Sequence, residues 1–141
     1  MTDPASIARE YLEAFNRRDW NRFKGLFAPE YSYTGGDGAK QQGPEAGLAV
    51  GQMFATAMSD AKIDIQRIHV AGDTAIVELT GSGTHDGDFM GIAATGRKVS
   101  MPVITVLETR DGKITAEREY MDMAHLMQQL GVIDAPAGAT A

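Results

Sequence analysis

The N-terminal part of the chain repeats its hydrophobic residues at the spacing of an α-helix. A first predicted helix begins at Pro4, with Thr2 or Asp3 as its capping residue, and a second begins after Asp19. A third is predicted over residues 44–59, after a glycine-rich loop. The larger apolar residues of these three helices are Ile7, Ala8, Tyr11, Leu12, Phe15, Trp20, Phe23, Leu26, Phe27, Leu48, Met53, Phe54 and Met58.

Beyond the third helix the hydrophobic residues alternate, as they do in half-buried β-strands. A hairpin is predicted at Asp111-Gly112, because this dipeptide tolerates the positive φ of a tight turn. Asp122 can cap a final helix that runs through Leu130 and ends at Gly131. Helices gathered before an antiparallel sheet indicate an α+β fold. The predicted strands cover residues 31–34, 63–68, 75–84, 97–108 and 114–121, with a further hairpin over 91–96.

Length and composition are those of one globular domain. The chain has 141 residues, of which 43% are hydrophobic and 23% are charged, so it can form a substantial core. We expect one domain over residues 1–133. Residues 134–141 are small and lack a large apolar anchor, which predicts a flexible tail.

Charge and cysteine content exclude several function classes. The formal net charge is −6, which disfavours nucleic acid and anionic membranes as partners. The sequence has no cysteine, so disulfides, thiol catalysis and thiolate metal sites are excluded. The N-terminus lacks a basic region followed by an apolar run, and no apolar stretch is long enough to span a bilayer. These features fit a cytoplasmic protein.

Carboxylates on the last predicted strand are the best candidates for chemistry. Glu117, Glu119 and Met121 share one face of that strand, and Asp122 follows where the strand meets the last helix. A carboxyl group in an apolar pocket has a raised pKa, which makes it a useful base near neutral pH. The alternative is that the glutamates form a solvated strand face and that Asp122 is only a helix cap.

His85 is a further candidate for a catalytic or ligand-binding group. Its ordinary pKa lies closest to neutrality, and the glycines around it indicate a sharp bend of the backbone. It could be a pocket donor or a base at the edge of the sheet. The alternative, which we favour slightly, is a surface turn residue beside Asp86 and Asp88.

Several motifs follow one another in a fixed order through the C-terminal half. The motifs are Gly81-Ser82-Gly83-Thr84-His85-Asp86-Gly87-Asp88-Phe89-Met90-Gly91, Ala94-Thr95-Gly96-Arg97, Asp111-Gly112-Lys113-Ile114, Tyr120-Met121-Asp122 and Gln129-Leu130-Gly131. They resemble the SnoaL-like polyketide cyclase family of the nuclear transport factor 2-like superfamily, and the resemblance extends from the first helix to Gly131.

The resemblance implies a particular architecture and reaction. The fold would be a cone-shaped, curved antiparallel sheet wrapped over three N-terminal helices, with a short C-terminal helix and an apolar interior. In such cyclases an aspartate near the junction of the last strand and helix is the acid/base of an intramolecular aldol ring closure, without metal or cofactor. By position, Asp122 is the first match and Glu119 is the second.

The related limonene-epoxide hydrolases have a similar last strand but need an arginine and a second aspartate on an earlier strand. The corresponding run here, residues 80–84, carries no charge. This difference argues against epoxide hydrolysis by that mechanism.

Aromatic and methionine side chains on the converging elements are predicted to form the binding pocket. Methionine is flexible and polarizable, so it suits a cavity that adapts to a flat, polycyclic ligand. The alternative for each of these residues is ordinary core packing. The predicted substrate-binding residues are Tyr11, Phe15, Trp20, Tyr33, Met53, Phe89, Met101 and Met121.

No metal or cofactor motif is present. The three histidines lie far apart, and Gly81-Ser82-Gly83 is not followed by a helix, which a dinucleotide-binding loop requires. The resemblance implies, as the first hypothesis, a cofactor-independent cyclase or isomerase acting on a small apolar, polyketide-like or polycyclic carbonyl compound. The alternatives are a non-catalytic binding domain for an apolar metabolite and a ketosteroid isomerase-like enzyme.

The sheet is also predicted to be apolar on both faces. In the strand over residues 97–108, Met101, Val103 and Leu107 share one face, and Pro102, Ile104 and Val106 share the other. A sheet of this kind needs cover on both sides. The helices would cover the concave face, so a second subunit is expected on the convex face of a homodimer.

Overall fold

The computed structural model describes residues 3–134, so most of the predicted tail lies outside the described part of the chain. Four helices and six strands follow in the order α1 Pro4–Arg17, α2 Trp20–Gly25, β1 Phe27–Thr34, β2 Lys40–Gln42, α3 Pro44–Ala57, β3 Lys62–Ala71, β4 Thr74–Thr84, β5 Lys98–Arg110, β6 Lys113–Tyr120 and α4 Met123–Leu130. The predicted α+β class, with helices first and most strands afterwards, is confirmed.

The strands form one mixed sheet in the order β2-β1-β6-β5-β4-β3. All neighbouring pairs are antiparallel except β1 and β6, which run parallel with Tyr33 opposite Glu117. The sequence predicted a sheet that is antiparallel throughout, and the parallel pairing of β1 with β6 corrects that prediction. No hairpin joins β1 to β6, because the rest of the sheet lies between them in the chain, so no tight turn imposes an antiparallel pairing.

Irregularities in strand pairing help to curve the sheet around the helices. The register shifts between Ile65 and Arg67 of β3 and between Glu108 and Thr109 of β5. Extra residues of this kind bend a strand and increase its local twist. The concave side that results faces α1, α2 and α3.

Three local predictions differ from the structure. Strand β1 begins at Phe27, four residues before the predicted start, because Phe27 and Ala28 are already buried in the core. The loop predicted over residues 35–43 contains the short edge strand β2. The hairpin predicted over residues 91–96 is an irregular loop, in which one isolated bridge joins Phe89 to Ile92.

The predicted helix boundaries depend on caps that the structure confirms. The side chains of Asp3, Asp19 and Asp122 each accept a hydrogen bond from a backbone N–H three residues later. Gly131 ends α4 with a φ of 78°, in the left-handed region that favours glycine. Asp122 therefore has a structural role independent of any chemistry.

The hydrophobic core lies between the concave face of the sheet and the first three helices. Every second residue of β5 points into it, from Val99 to Thr109, and its inward residues are buried. Helix α1 covers this face with Ile7, Ala8, Tyr11, Leu12, Ala14 and Phe15. A cluster of aromatic rings joins α1, α2 and β1; it comprises Tyr11, Phe15, Trp20, Phe23, Phe27 and Tyr31.

The outer face of the sheet combines an apolar centre with ion pairs. Ile104 is 42% exposed, and its neighbour Tyr120 on β6 is 57% exposed. Arg118 pairs with Glu108 on the same face. The predicted division of β5 into two apolar faces is therefore present.

Glycines in α3 allow this helix to approach the aromatic cluster closely. A Cβ atom on Gly47 would lie 2.6 Å from ring carbons of both Phe27 and Tyr31. A Cβ atom on Gly25, at the end of α2, would meet nothing within 4 Å. Gly25→Ala can therefore serve as the control for Gly47→Ala, because both add a methyl group to a helical glycine and only Gly47 is in close contact with other side chains.

We expect Gly47→Ala to lower the free energy of unfolding by about 1–3 kcal/mol, because overpacking outweighs the better helix propensity of alanine. Gly25→Ala should leave it unchanged within about 1 kcal/mol. Urea denaturation measures both. Wild-type stability in Gly47→Ala would show that the rings can move aside and that the close packing does not constrain the core.

Candidate functional site

An apolar cavity of about 110 Å³ lies between the helices and the concave face of the sheet. This volume is smaller than the roughly 150 Å³ of an engineered apolar cavity that binds benzene. Elements from both ends of the chain contribute to its walls. Its lining residues are Tyr11, Leu12, Phe15, Phe23, Tyr33, Val50, Gly51, Phe54, Met58, Ala61, Lys62, Ile63, Leu79, Gly81, Ser82, Val99, Met101, Val103, Glu117, Glu119, Met121 and Leu126.

Glu117 is the most deeply buried carboxylate of this cavity, with 2% of its surface exposed. Its Oε1 accepts hydrogen bonds from the Tyr11 and Tyr31 hydroxyls, each at 2.7 Å. Its Oε2 accepts a hydrogen bond from Thr105 Oγ1 at 2.9 Å. Burial raises the pKa of Glu117, and the three hydroxyl donors oppose that rise by stabilising the charged form. Both carboxylate oxygens are thus already occupied by the protein.

Glu119 lies two residues further along β6 on the same face and is half-buried. Its Oε1 accepts a hydrogen bond of 2.6 Å from the Tyr33 hydroxyl. Within residues 3–134, that is the one hydrogen bond made by this carboxylate. Burial, followed by the neighbouring charge of Glu117, raises the pKa of Glu119 to about 7, although the Tyr33 hydroxyl opposes the rise. Glu119 can therefore accept or release a proton near neutral pH.

The tyrosines around these carboxylates are donors. Burial and the nearby glutamates raise the pKa values of Tyr11, Tyr31 and Tyr33 above the ordinary phenol value. Each therefore keeps its proton and orients a carboxylate through it. The site consists of two differently solvated glutamates held by phenols at one side of an apolar cavity.

The remaining walls are almost entirely apolar. Phe15, Phe23 and Phe54 supply aromatic surface, and Met58, Met101 and Met121 supply flexible thioethers. Ser82 and Lys62 add polar groups, and the Lys62 ammonium lies 3.4 Å from Asp64. Such a cavity favours a largely apolar ligand with few polar groups.

Five of the eight predicted substrate-binding residues line the cavity: Tyr11, Phe15, Tyr33, Met101 and Met121. The other three lie outside this lining. Trp20 packs edge-on against Phe15 and Phe23, Phe89 packs against Phe54, and Met53 contacts the hydrophobic core. These three residues support the walls in this structure.

Of the three predicted catalytic residues, only Glu119 lines the cavity. Asp122 is exposed, and its Oδ1 accepts a hydrogen bond from the His125 N–H as the cap of α4. The structure therefore does not bring Asp122 and Glu119 together in the cavity. Position along the chain favoured Asp122, but the side chain at that position caps α4 and is exposed, whereas Met121 beside it lines the cavity.

His85 is buried, not part of an exposed turn; 1% of its surface is accessible. Its Nδ1 accepts a hydrogen bond from the Thr95 N–H at 3.2 Å and lies 2.9 Å from Thr95 Oγ1. Its Nε2 is buried without a hydrogen-bond partner among the described residues. His85 lies outside the cavity lining and holds the loop between β4 and β5.

The family model for SnoaL-like polyketide cyclase matches residues 5–130.

The chain belongs to the SnoaL-like polyketide cyclase family.

Two relatives within the family are aklanonic acid methyl ester cyclases. That of Streptomyces galilaeus is 29% identical over 93% of this chain and 92% of its own length. That of Streptomyces peucetius is 28% identical over the same shares of the two chains. Each name describes the reaction of that relative.

Solved structures support the fold. The structure of TsrD from Streptomyces laurentii is 28% identical, covers 92% of this chain and 95% of its own, and has a TM-score of 0.81. A Catenulispora acidiphila protein with a ketosteroid isomerase-like fold, in complex with trimethylamine, has a TM-score of 0.77. That protein is 23% identical, covers 99% of this chain and all of its own, and shows likeness of fold alone.

Within residues 3–134, no group of three or more histidine, cysteine, aspartate or glutamate side chains could hold a metal ion. In the same residues, no helix is long and apolar enough to cross a membrane.

Neither the hydrogen-bonding role of Glu117 nor several of the cavity walls were predicted from the sequence. Alternation along β6 placed Glu117 beside Glu119, but no sequence signal shows which hydroxyls converge on it. Tyr31 comes from a parallel strand and Thr105 from an antiparallel one. Phe54 was identified only as an apolar helix residue, and packing assigns it to the cavity.

The raised pKa of Glu119 predicts a pH-dependent stability. Between the ordinary value of 4.5 and about 7, the folded state binds a proton that the unfolded state has released. The free energy of unfolding should therefore fall as pH rises through this window. Glu119→Gln should show a smaller fall, as measured by urea denaturation between pH 5 and 8.

Glu108→Gln is the matched control, because Glu108 lies on the outer face beside Arg118. This variant should keep the wild-type slope. If Glu119→Gln has the same slope as wild type, Glu119 does not titrate in that window and the account of its environment is wrong.

Proposed function

We propose that this protein is a cofactor-independent cyclase or isomerase for a small, apolar, polyketide-like carbonyl compound, with Glu119 as its acid/base. The observation that carries the proposal is the position of Glu119. Tyr33 holds one oxygen of its carboxylate, while the side chain lines an apolar cavity and its pKa lies near 7. A general base is most effective when its pKa is close to the working pH.

The reaction needs one proton to move out and back. The Glu119 carboxylate removes a proton from a carbon next to a carbonyl, and the C–H electron pair becomes an enolate. In an aldol ring closure, the enolate carbon forms a bond to a second carbonyl carbon of the same molecule. The C=O electrons move to its oxygen, and the resulting alkoxide takes the proton back from Glu119. Atoms and charge balance without an added co-reactant.

Tyr33 has two roles in this scheme. Its hydroxyl fixes the rotamer of the carboxylate, and the raised pKa keeps its proton in place. When Glu119 is protonated, the same hydroxyl can turn to an enolate oxygen, because its acceptor has lost negative charge. A preorganised donor at developing charge in a dry cavity is worth more than the same donor in water.

The cavity limits how a ligand can bind. A volume of about 110 Å³ accommodates one small ring or a short chain, not several fused rings. A larger polyketide would place its reacting portion against Glu119 and extend beyond the cavity. Flexible walls at Met58, Met101 and Met121 allow further adjustment. The cyclase names of the relatives support a polyketide-like compound.

Turnover of an aldol-prone polyketide ester tests the proposal. Glu119→Gln keeps the size of the side chain but removes the base, so we expect the rate to fall by about 10²–10⁴-fold with ligand affinity largely kept. Glu108→Gln, on the outer face, should retain the wild-type rate. A β,γ-unsaturated ketone as second substrate distinguishes proton transfer of the ketosteroid isomerase type from ring closure.

Three outcomes would contradict this assignment. A wild-type turnover rate in Glu119→Gln, together with a loss of turnover in Asp122→Asn, would identify Asp122 as the base. Loss on His85→Gln alone would assign the chemistry to His85. Tight binding of apolar ligands by a wild-type protein that turns over nothing would identify a non-catalytic binding domain.

We also propose that the protein is a homodimer through the outer face of its sheet. The exposed side chains of Ile104 and Tyr120 lie side by side, and Val106 continues this apolar centre. Light scattering at micromolar concentration should give twice the monomer mass, and Ile104→Lys should shift the mass toward the monomer. A monomeric wild-type protein would contradict the proposal.

A further inference from the structure

The two cavity glutamates have unequal surroundings although they lie two residues apart on one strand. Glu117 accepts three hydrogen bonds, from Tyr11, Tyr31 and Thr105, whereas Glu119 accepts one, from Tyr33. Glu117 is also the more buried of the two. This difference in hydrogen bonding and burial indicates different roles for the two carboxylates.

The hydrogen bonds around Glu117 fit its ionised form. Each hydroxyl has a single proton, and all three donors direct theirs to the carboxylate. Protonation of Glu117 would weaken all three hydrogen bonds, because a neutral carboxyl group is a poorer acceptor than a carboxylate, and it would add an O–H donor that needs an acceptor of its own. The phenol protons of Tyr11 and Tyr31 are firmly held, because burial and Glu117 raise the pKa values of both. Burial raises the pKa of Glu117, and these three donors oppose that rise by favouring its charged form.

We propose that Glu117 is a positioning residue, whose hydroxyl-bonded carboxylate is a fixed negative charge that makes Glu119 a stronger base. This inference rests on the proposed function of Glu119. Glu117 does not touch the reacting atoms in this account, because both of its oxygens are occupied by protein hydroxyls.

The effect of Glu117 on the proton affinity of Glu119 follows from their positions on one strand. The Cα atoms of residues two apart on one strand are separated by about 6.6 Å, at about 3.3 Å per residue, and their side chains lie on the same face. A second negative charge on the neighbouring side chain disfavours ionisation of Glu119 and thus favours its uptake of a proton. When Glu119 takes a proton from the ligand, the negative charge moves into the cavity, away from the strand that carries Glu117. Proton transfer therefore relieves the repulsion between the two charges.

Other titratable groups near Glu119 do not supply this charge. Tyr33 on β1 and Tyr11 on α1 are neutral donors, and Tyr31 lies at Glu117. Lys62 on β3 is the cation of the cavity lining; its side chain is 64% exposed and pairs with Asp64. Among residues 3–134, Glu117 is accordingly the carboxylate that shares this cavity with Glu119.

The test is a titration of the side-chain carboxyl carbons by NMR in protein labelled with ¹³C-glutamate. It needs no substrate, so it stands or falls independently of turnover. Glu119→Gln and Glu117→Gln identify the two signals by their loss. In wild type, we expect the Glu119 signal to titrate near pH 7 and the Glu117 signal to remain that of a carboxylate at that pH.

In Glu117→Gln, the midpoint of Glu119 should fall by at least about one pH unit, because the repelling charge is gone. Glu108→Gln, which removes a charge from the outer face, should leave it unchanged. An unmoved midpoint in folded Glu117→Gln overturns the proposal. So does a wild-type Glu117 that is protonated at pH 7, a result that requires no variant.

A second variant tests the role of the hydroxyls. Tyr11→Phe keeps the ring but removes one donor, so the Glu117 signal should titrate at higher pH than in wild type. No change would show that the donors do not hold the charge. If turnover is found, the acid limb of the kcat/KM profile should move down with the Glu119 midpoint in Glu117→Gln. A limb that stays in place while the NMR midpoint moves would contradict the proposed function and leave the electrostatic inference intact.

Discussion

Burial of two glutamates on the concave face of β6 is the constraint on which the site depends. A carboxylate removed from water carries a penalty of several kcal/mol unless it is paired or hydrogen-bonded. Glu117 meets this requirement with three hydroxyls, each worth about 1.5–3 kcal/mol as a hydrogen bond to a charged group. Glu119 has one hydroxyl and a raised pKa instead. The first glutamate is satisfied by the protein, and the second is left available to a ligand.

The fold brings these partners together from distant parts of the chain. Parallel pairing of β1 with β6 places Tyr31 and Tyr33 beside the glutamates, and α1 adds Tyr11 from above the sheet. Glycines in α3 allow that helix to pack against the rings of Phe27 and Tyr31. The same aromatic cluster therefore stabilises the core and positions the hydroxyl groups. A change in helix packing would alter the proton affinity of the site as well as the stability of the fold.

Sequence periodicity was sufficient for the fold class, the caps and the placing of Glu117, Glu119 and Met121 on one face of β6, but not for the side to which that face points. These features depend on neighbouring residues along the chain, such as Asp122 and Gly131 around α4. Periodicity did not predict that β1 pairs in parallel with β6, because no turn motif encodes a contact between the first and last strands. Periodicity also could not separate Glu119 from Asp122, which lie three residues apart, one on β6 and the other at the N-cap of α4. Only the curvature of the sheet and the exit of the chain after Tyr120 determine which of them faces the cavity.

The protonation states of the two glutamates are the centre of this account. Neutron diffraction from a crystal equilibrated with heavy water at an acidity equivalent to about pH 6, one unit below the pKa of Glu119, locates their deuterons directly. We expect a deuteron on Glu119 and none on Glu117, with the hydroxyl deuterons of Tyr11, Tyr31 and Thr105 directed at the Glu117 carboxylate. A deuteron on Glu117 and a bare Glu119 would contradict the account, because the roles assigned to the two residues would then be reversed.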